Sequence, residues 1–160
     1  MNGIPIDYDK DYYARARASV RAQVETEGEG QDGVDVAEQR MYERYYDQQY
    51  EMLVALRPRI VGHFDLIRLM STDPGRDVRR WPGVWNRIVR NLSFVASYGG
   101  WLECNSSALR KGLDEPYPCR VIAEVSSSFC LRKFSIPKQS RANPGIVEMA
   151  LAGWKIHSLR

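Results

Sequence analysis

Arg59-Ile60-Val61-Gly62-His63-Phe64-Asp65 sets two β-branched residues after an arginine and turns polar at His63 and Asp65. β-branched side chains suit a buried strand, so the stretch predicts a short strand with polar groups at its C-terminal end. Trp101-Leu102-Glu103-Cys104-Asn105 repeats the arrangement, an apolar start followed by Glu103 and Asn105. Between the two lies the clearest helical period of the chain, because Trp85, Ile88, Val89, Leu92, Val95 and Ala96 recur at three- and four-residue steps. Pro82 suits the first turn of that helix and Gly99-Gly100 its left-handed stop. Upstream, Tyr13, Ala16, Val20 and Val24 predict a helix over 11–25, with Asp9 or Asp11 as its cap. A second helix is predicted over 36–56, with Tyr42, Tyr46, Tyr50, Leu53 and Leu56 near one face and Pro58 ending it. Each strand follows a helix, which is the grammar of an α/β chain with a parallel sheet. In such folds the polar residues at the C-terminal strand ends form the active face.

The rest of the composition narrows the class. The chain has 160 residues, 44% of them hydrophobic and 27% charged, with four Trp, nine Tyr and four Phe. That excludes a disordered tail, a collagen-like repeat and a disulfide scaffold. The longest apolar candidate, 85–96, is broken by Asn86, Arg87, Arg90 and Asn91 and falls short of the roughly 20 residues a membrane span takes. Asp7, Asp9 and Asp11 stand where a secretory signal would carry an apolar block. A soluble cytoplasmic protein with no membrane partner is expected. Cys104, Cys119 and Cys130 are odd in number and lack metal-ligand spacing, which fits unpaired thiols.

The net charge of +3 hides an asymmetry: residues 1–51 carry 6 basic and 12 acidic residues, and residues 52–160 carry 17 and 8. A basic half suits a nucleic acid or any small anion. The arginines are dispersed, however, and the aromatics fall on helical faces instead of interleaving with a basic groove. No nucleic-acid partner is therefore expected, and a non-catalytic binding module for an anionic partner stands as the competing class. The glycine-rich acidic stretch at 26–33, the segment 71–82 with Asp73-Pro74-Gly75, and Ser126-Ser127-Ser128 all read as loops. His157 has no neighbours that suggest a role.

Four polar clusters can carry chemistry. An imidazole at a strand end, as at His63, is a good ligand for a divalent metal and equally a packed, hydrogen-bonded residue. Asp65 points to the same face two residues on, as a functional carboxylate or as the partner of Arg68 in an ion pair. Glu103 and Asn105 share a face by the same period, able to hold a metal-bound water or a substrate hydroxyl, or simply to bond one another. Arg110-Lys111-Gly112 can receive a phosphate or remain a solvated pair.

Four ordered blocks resemble one family. Arg57-Pro58-Arg59-Ile60-Val61-Gly62-His63-Phe64-Asp65-Leu66-Ile67-Arg68-Leu69 is similar to the signature of fungal-type histidinol-phosphatases, members of the PHP (polymerase and histidinol phosphatase) superfamily. Gly3-Ile4-Pro5-Ile6-Asp7-Tyr8-Asp9 resembles the segment after that family's Gly-Ser-Val-His-His strand. Tyr45-Tyr46-Asp47-Gln48-Gln49-Tyr50-Glu51-Met52-Leu53 resembles its helix before the signature. Trp101-Leu102-Glu103-Cys104-Asn105-Ser106-Ser107-Ala108-Leu109-Arg110-Lys111-Gly112-Leu113, running into Glu115-Pro116-Tyr117-Pro118, resembles the next block.

The resemblance covers roughly residues 3 to 125. It implies an incomplete (β/α)7-type PHP barrel over 1–125, made of central βα units, and a divergent basic tail over 126–160. It further implies metal-dependent hydrolysis of L-histidinol phosphate to L-histidinol and phosphate in histidine biosynthesis, at a trinuclear centre of zinc, manganese or iron. Carried over by position, His63 and Glu103 are expected as metal ligands and Asp65 as a catalytic carboxylate in a supporting place. Arg68, Asn105, Arg110 and Lys111 are expected to bind substrate. The family's opening His-x-His strand and its late Asp-Asp-Ser-His motif have no counterpart, so a truncated and impaired copy is expected. A PHP phosphoesterase for a different phosphate monoester is the other enzymatic alternative.

Overall fold

A computed structural model of the chain describes residues 10–26, 33–129 and 132–135. Its elements are α1 (Lys10–Thr26), α2 (Gly33–Leu56), β1 (Ile60–Val61), α3 (Pro82–Ser97), β2 (Trp101–Cys104), α4 (Ser107–Arg110), α5 (Arg120–Ser128) and β3 (Arg132–Ser135). Two 3-10 turns, Leu66–Met70 and Val78–Arg80, interrupt the segment between β1 and α3. The three strands form one sheet in the order β1-β2-β3. Both pairings are parallel, with Ile60 opposite Trp101 and Trp101 opposite Arg132. Parallel neighbours need a crossover, and α3 and α5 lie within the two crossovers. The expected α/β class with a parallel sheet is what the described residues form. Among them no helix is long and apolar enough to cross a membrane.

The predicted elements appear with shifted ends. Pro82 opens α3, and Gly99 takes φ +74 just after it, the left-handed stop that glycine adopts freely. Val84, Ile88, Leu92 and Val95 of α3 are buried, as the three- and four-residue period requires. Asp11 lies inside the first turn of α1 and does not cap it; Asp9 lies outside the described residues. In α2, Tyr42, Tyr46 and Leu53 are buried but Leu56, the last residue of the expected stripe, is 69% exposed. Tyr42 packs edge-on against Trp81 and Tyr46 against Tyr45, the arrangement that ring quadrupoles favour.

Two expectations are corrected, and one strand is added. Ser126-Ser127-Ser128 is the last turn of α5 and not a loop. Each hydroxyl turns back onto a carbonyl of its own helix, Ser126 and Ser127 to Ala123 at 2.7 and 3.0 Å and Ser128 to Val125 at 2.7 Å, so the serines tie themselves to helical backbone. The loop at 71–82 holds a 3-10 turn, and the side chain of Asp77 caps it by accepting from the Arg79 amide. Strand β3 was not foreseen: Arg132-Lys133-Phe134-Ser135 has no apolar run, and its pairing with all four residues of β2 supplies what its composition does not. Cys104 and Cys119 are buried thiols outside any disulfide, and Cys130 and His157 lie outside the described residues.

Candidate functional site

Strand β1 is two residues long because the chain leaves the sheet at once. Gly62 follows Val61, and His63 takes φ +47, a left-handed conformation that costs a residue with a Cβ about 1 kcal/mol. The turn swings the His63 ring across the mouth of β2. There Nδ1 of His63 lies 3.5 Å from Oε2 of Glu103, whose side chain is 9% exposed against 40% for His63. Gly62 permits this approach, since a Cβ at that position would stand 2.7 Å from the same Oε2.

Asn105 completes the group from the next position on the same face of the chain. Its Nδ2 donates to Oε1 of Glu103 at 3.0 Å and lies 3.3 Å from Nε2 of His63. Its Oδ1 accepts from the Ser107 amide at 2.8 Å, and its backbone pairs antiparallel with Tyr117, Asn105 N to Tyr117 O at 2.8 Å and the reverse at 3.0 Å. The Ser107 hydroxyl lies 3.4 Å from Nε2 of His63, and the Tyr117 ring packs 5.3 Å from the imidazole. Nothing in the local sequence marks Ser107 or Tyr117 as a site residue; only the fold brings them to His63.

The other residues expected at the site lie elsewhere. Asp65 is fully buried, and its Oδ2 accepts from Nη1 of Arg68 at 2.9 Å and from the Cys119 amide at 2.8 Å. Arg68 is 3% exposed and also donates to the carbonyls of Pro74 and Pro116, each at 3.1 Å. Burial opposes its charge, but the adjoining Asp65 outweighs burial and holds the guanidinium firmly protonated. These two residues form the ion pair that stood as the plainer reading of Asp65. They clasp the segments around Pro74, Pro116 and Cys119 from the interior, and Nε and Nη1 of Arg68 face inward. The Tyr46 hydroxyl beneath them is pushed well above its ordinary pKa by burial first and the Asp65 charge second. Arg110 and Lys111 are exposed at the far end of α4, one short helical turn from Ser107.

As a donor set, His63 and Glu103 fit one divalent ion in part. Bonds of about 2.0–2.1 Å at tetrahedral angles put two ligand atoms about 3.3 Å apart, close to the 3.5 Å found here. They do not fit a three-ion centre: among the described residues no three His, Cys, Asp or Glu side chains group as one metal site, and the whole sequence has two histidines.

Two comparisons with known proteins bear on the site. The chain is similar to a histidinol-phosphatase of Saccharomyces cerevisiae, 32% identical over 154 residues that take in 84% of this chain and 42% of that protein. It is also similar to a probable histidinol-phosphatase of Schizosaccharomyces pombe, 32% identical over 126 residues, 78% of this chain and 37% of that protein. The chain thus resembles the fungal-type histidinol-phosphatases over most of its length, and spans about two fifths of the length of the curated relatives it matches. No protein-family profile matches it, and no solved structure does.

Proposed function

We propose that the cluster of His63, Glu103 and Asn105 is part of a phosphate-monoester site of the histidinol-phosphatase type, with L-histidinol phosphate as substrate. The observation that carries this reading is the convergence of an imidazole and a carboxylate, 3.5 Å apart, at the C-terminal ends of two adjacent parallel strands. The two relatives share that name, and the blocks that resemble the family include both strand ends. We read the chain as a partial PHP barrel whose βα units run past the expected boundary at residue 125 to β3, with the divergent basic tail following it.

In this reading His63 and Glu103 hold a divalent ion at the strand mouths. When bound, such an ion polarises the phosphoryl oxygens and lowers the pKa of water. Asn105 fixes the Glu103 carboxylate through Oε1 and leaves Oε2 turned to His63. Ser107 and the exposed Arg110 and Lys111 offer a hydroxyl and two cations to the phosphate end of the ester. Asp65 acts indirectly, by holding Arg68 and the Cys119 amide behind the site. With two candidate ligand side chains among the described residues, where a three-ion centre takes more, we read this chain as hydrolysing the ester poorly.

The test is phosphate release from L-histidinol phosphate by the purified chain with added manganese, zinc or iron. Release is expected below about 1 s⁻¹, the lower end of ordinary turnover, and chelation or Glu103→Gln should abolish it. Faster turnover would overturn the expected impairment. Release that persists in Glu103→Gln would overturn the site. A panel of other phosphate monoesters tests the choice of substrate.

A further inference from the structure

We infer that Gln49 of α2 is a positioning residue for His63, acting through the backbone of Phe64, with Tyr45 as its partner. The inference rests on the reading of His63 as a site residue and goes beyond it by assigning what holds the imidazole in place.

The backbone at this point leaves the sheet in an unusual conformation. β1 ends at Val61 and His63 stands at φ +47. A residue with a Cβ holds that conformation only where its surroundings over-determine it. The carbonyls on either side of the Phe64 amide supply the grip. Phe64 O accepts from Gln49 Nε2 at 2.8 Å and from the Tyr45 hydroxyl at 3.2 Å, while His63 O accepts from the same hydroxyl at 3.3 Å and from the Leu66 amide at 3.0 Å. Gln49 is itself fixed from behind: Nδ2 of Asn91 on α3 donates to its Oε1 at 3.1 Å and to Tyr46 O at 2.8 Å. Gln49 is 8% exposed, and Asn91 and Phe64 are fully buried.

A buried amide with both ends bonded is a demanding choice where an aliphatic residue would fill the same space. Its donor reaches one carbonyl, that of Phe64, the residue after the left-handed one. A relay therefore runs from α3 through α2 to the turn that aims the His63 ring at Glu103. Without it the 63–64 turn can relax toward ordinary φ, and the ring leaves the mouth of β2.

The readout is the geometry of the ring. The sequence has two histidines, His63 and His157, so a His157→Gln spectrum assigns the His63 imidazole signals by NMR. The cross-relaxation peak between the His63 and Tyr117 rings, 5.3 Å apart between centroids, should be present in the unaltered chain. It should be lost in Gln49→Met and in Tyr45→Phe while far-UV circular dichroism stays unchanged. Should Gln49→Met fail to fold, Tyr45→Phe decides, because it removes only a hydroxyl from a half-exposed ring. A peak that survives in the folded variants overturns the inference. Binding of L-histidinol phosphate, measured on the same samples, separates the two claims. Loss of the peak in a chain that never binds the ester supports the positioning role and counts against the phosphatase reading. A surviving peak in a chain that does bind it overturns the positioning role alone.

Discussion

At the scale of single residues, two glycine and arginine positions separate site from scaffold. Gly62 is required by an approach and not by a turn: its Cβ would meet Oε2 of Glu103 at 2.7 Å. That oxygen is the tip of a side chain and can move, so Gly62→Ala should leave stability within about 0.5 kcal/mol while displacing Glu103 from His63. Urea unfolding and ester binding, measured together, check this, and equal losses in both would refute it. Arg68 behaves in the opposite way. Its pair with Asp65 is buried on both sides, 4% and 0% exposed. Arg68→Met leaves a buried carboxylate without its cation and should cost about 3–5 kcal/mol in urea unfolding. A change of a few tenths would mean the pair is not structural. The sequence made His63, Glu103 and Asn105 visible because they sit at strand ends, where position in the chain translates into position at the mouth. The resemblance set Arg68 against the substrate, while the residues alone left its direction open. A guanidinium three residues from an aspartate can face a phosphate or face that aspartate, and the choice depends on Pro74, Pro116 and Cys119, which the local sequence does not bring near.

At the scale of elements, α2 is the hub, packed against α1 and α3 and supplying Tyr45 and Gln49 to the turn after β1. Its tyrosine stripe is a packing face, with Tyr42 and Tyr46 buried. Leu92 of α3, fully buried in the main core cluster, tests the packing: Leu92→Ala should cost about 2–5 kcal/mol, read from the urea midpoint at constant slope, and a cost under about 1 kcal/mol would show that the core does not depend on α3. Periodicity revealed the core face of α3, since Ile88, Leu92 and Val95 are buried, but not Asn91, which is buried on the same helix through its bonds to Tyr46 and Gln49. It revealed β1 only in part, because a residue that leaves a strand through positive φ carries no composition signal at His63. It missed β3, whose pairing partner lies 31 residues away in register, and it misread Ser126-Ser127-Ser128, whose hydroxyls bond helical carbonyls instead of competing with them.

At the scale of the whole molecule, three parallel strands in chain order gather the polar strand ends on one edge of the sheet, and helices fill the crossovers. The basic excess beyond residue 52 does not mark the site. Arg87 and Arg90 are paired with Asp47 and Arg68 with Asp65, so part of that charge is matched within the fold, and the anion argument rests on the cluster around His63. The most direct measurement of whether this cluster is an ester site is calorimetric titration of the purified chain with L-histidinol phosphate in the presence of manganese. Saturable binding that is lost in both His63→Ala and Glu103→Gln is the predicted result. Absence of binding by the unaltered chain, or equal binding by the two variants, would contradict it.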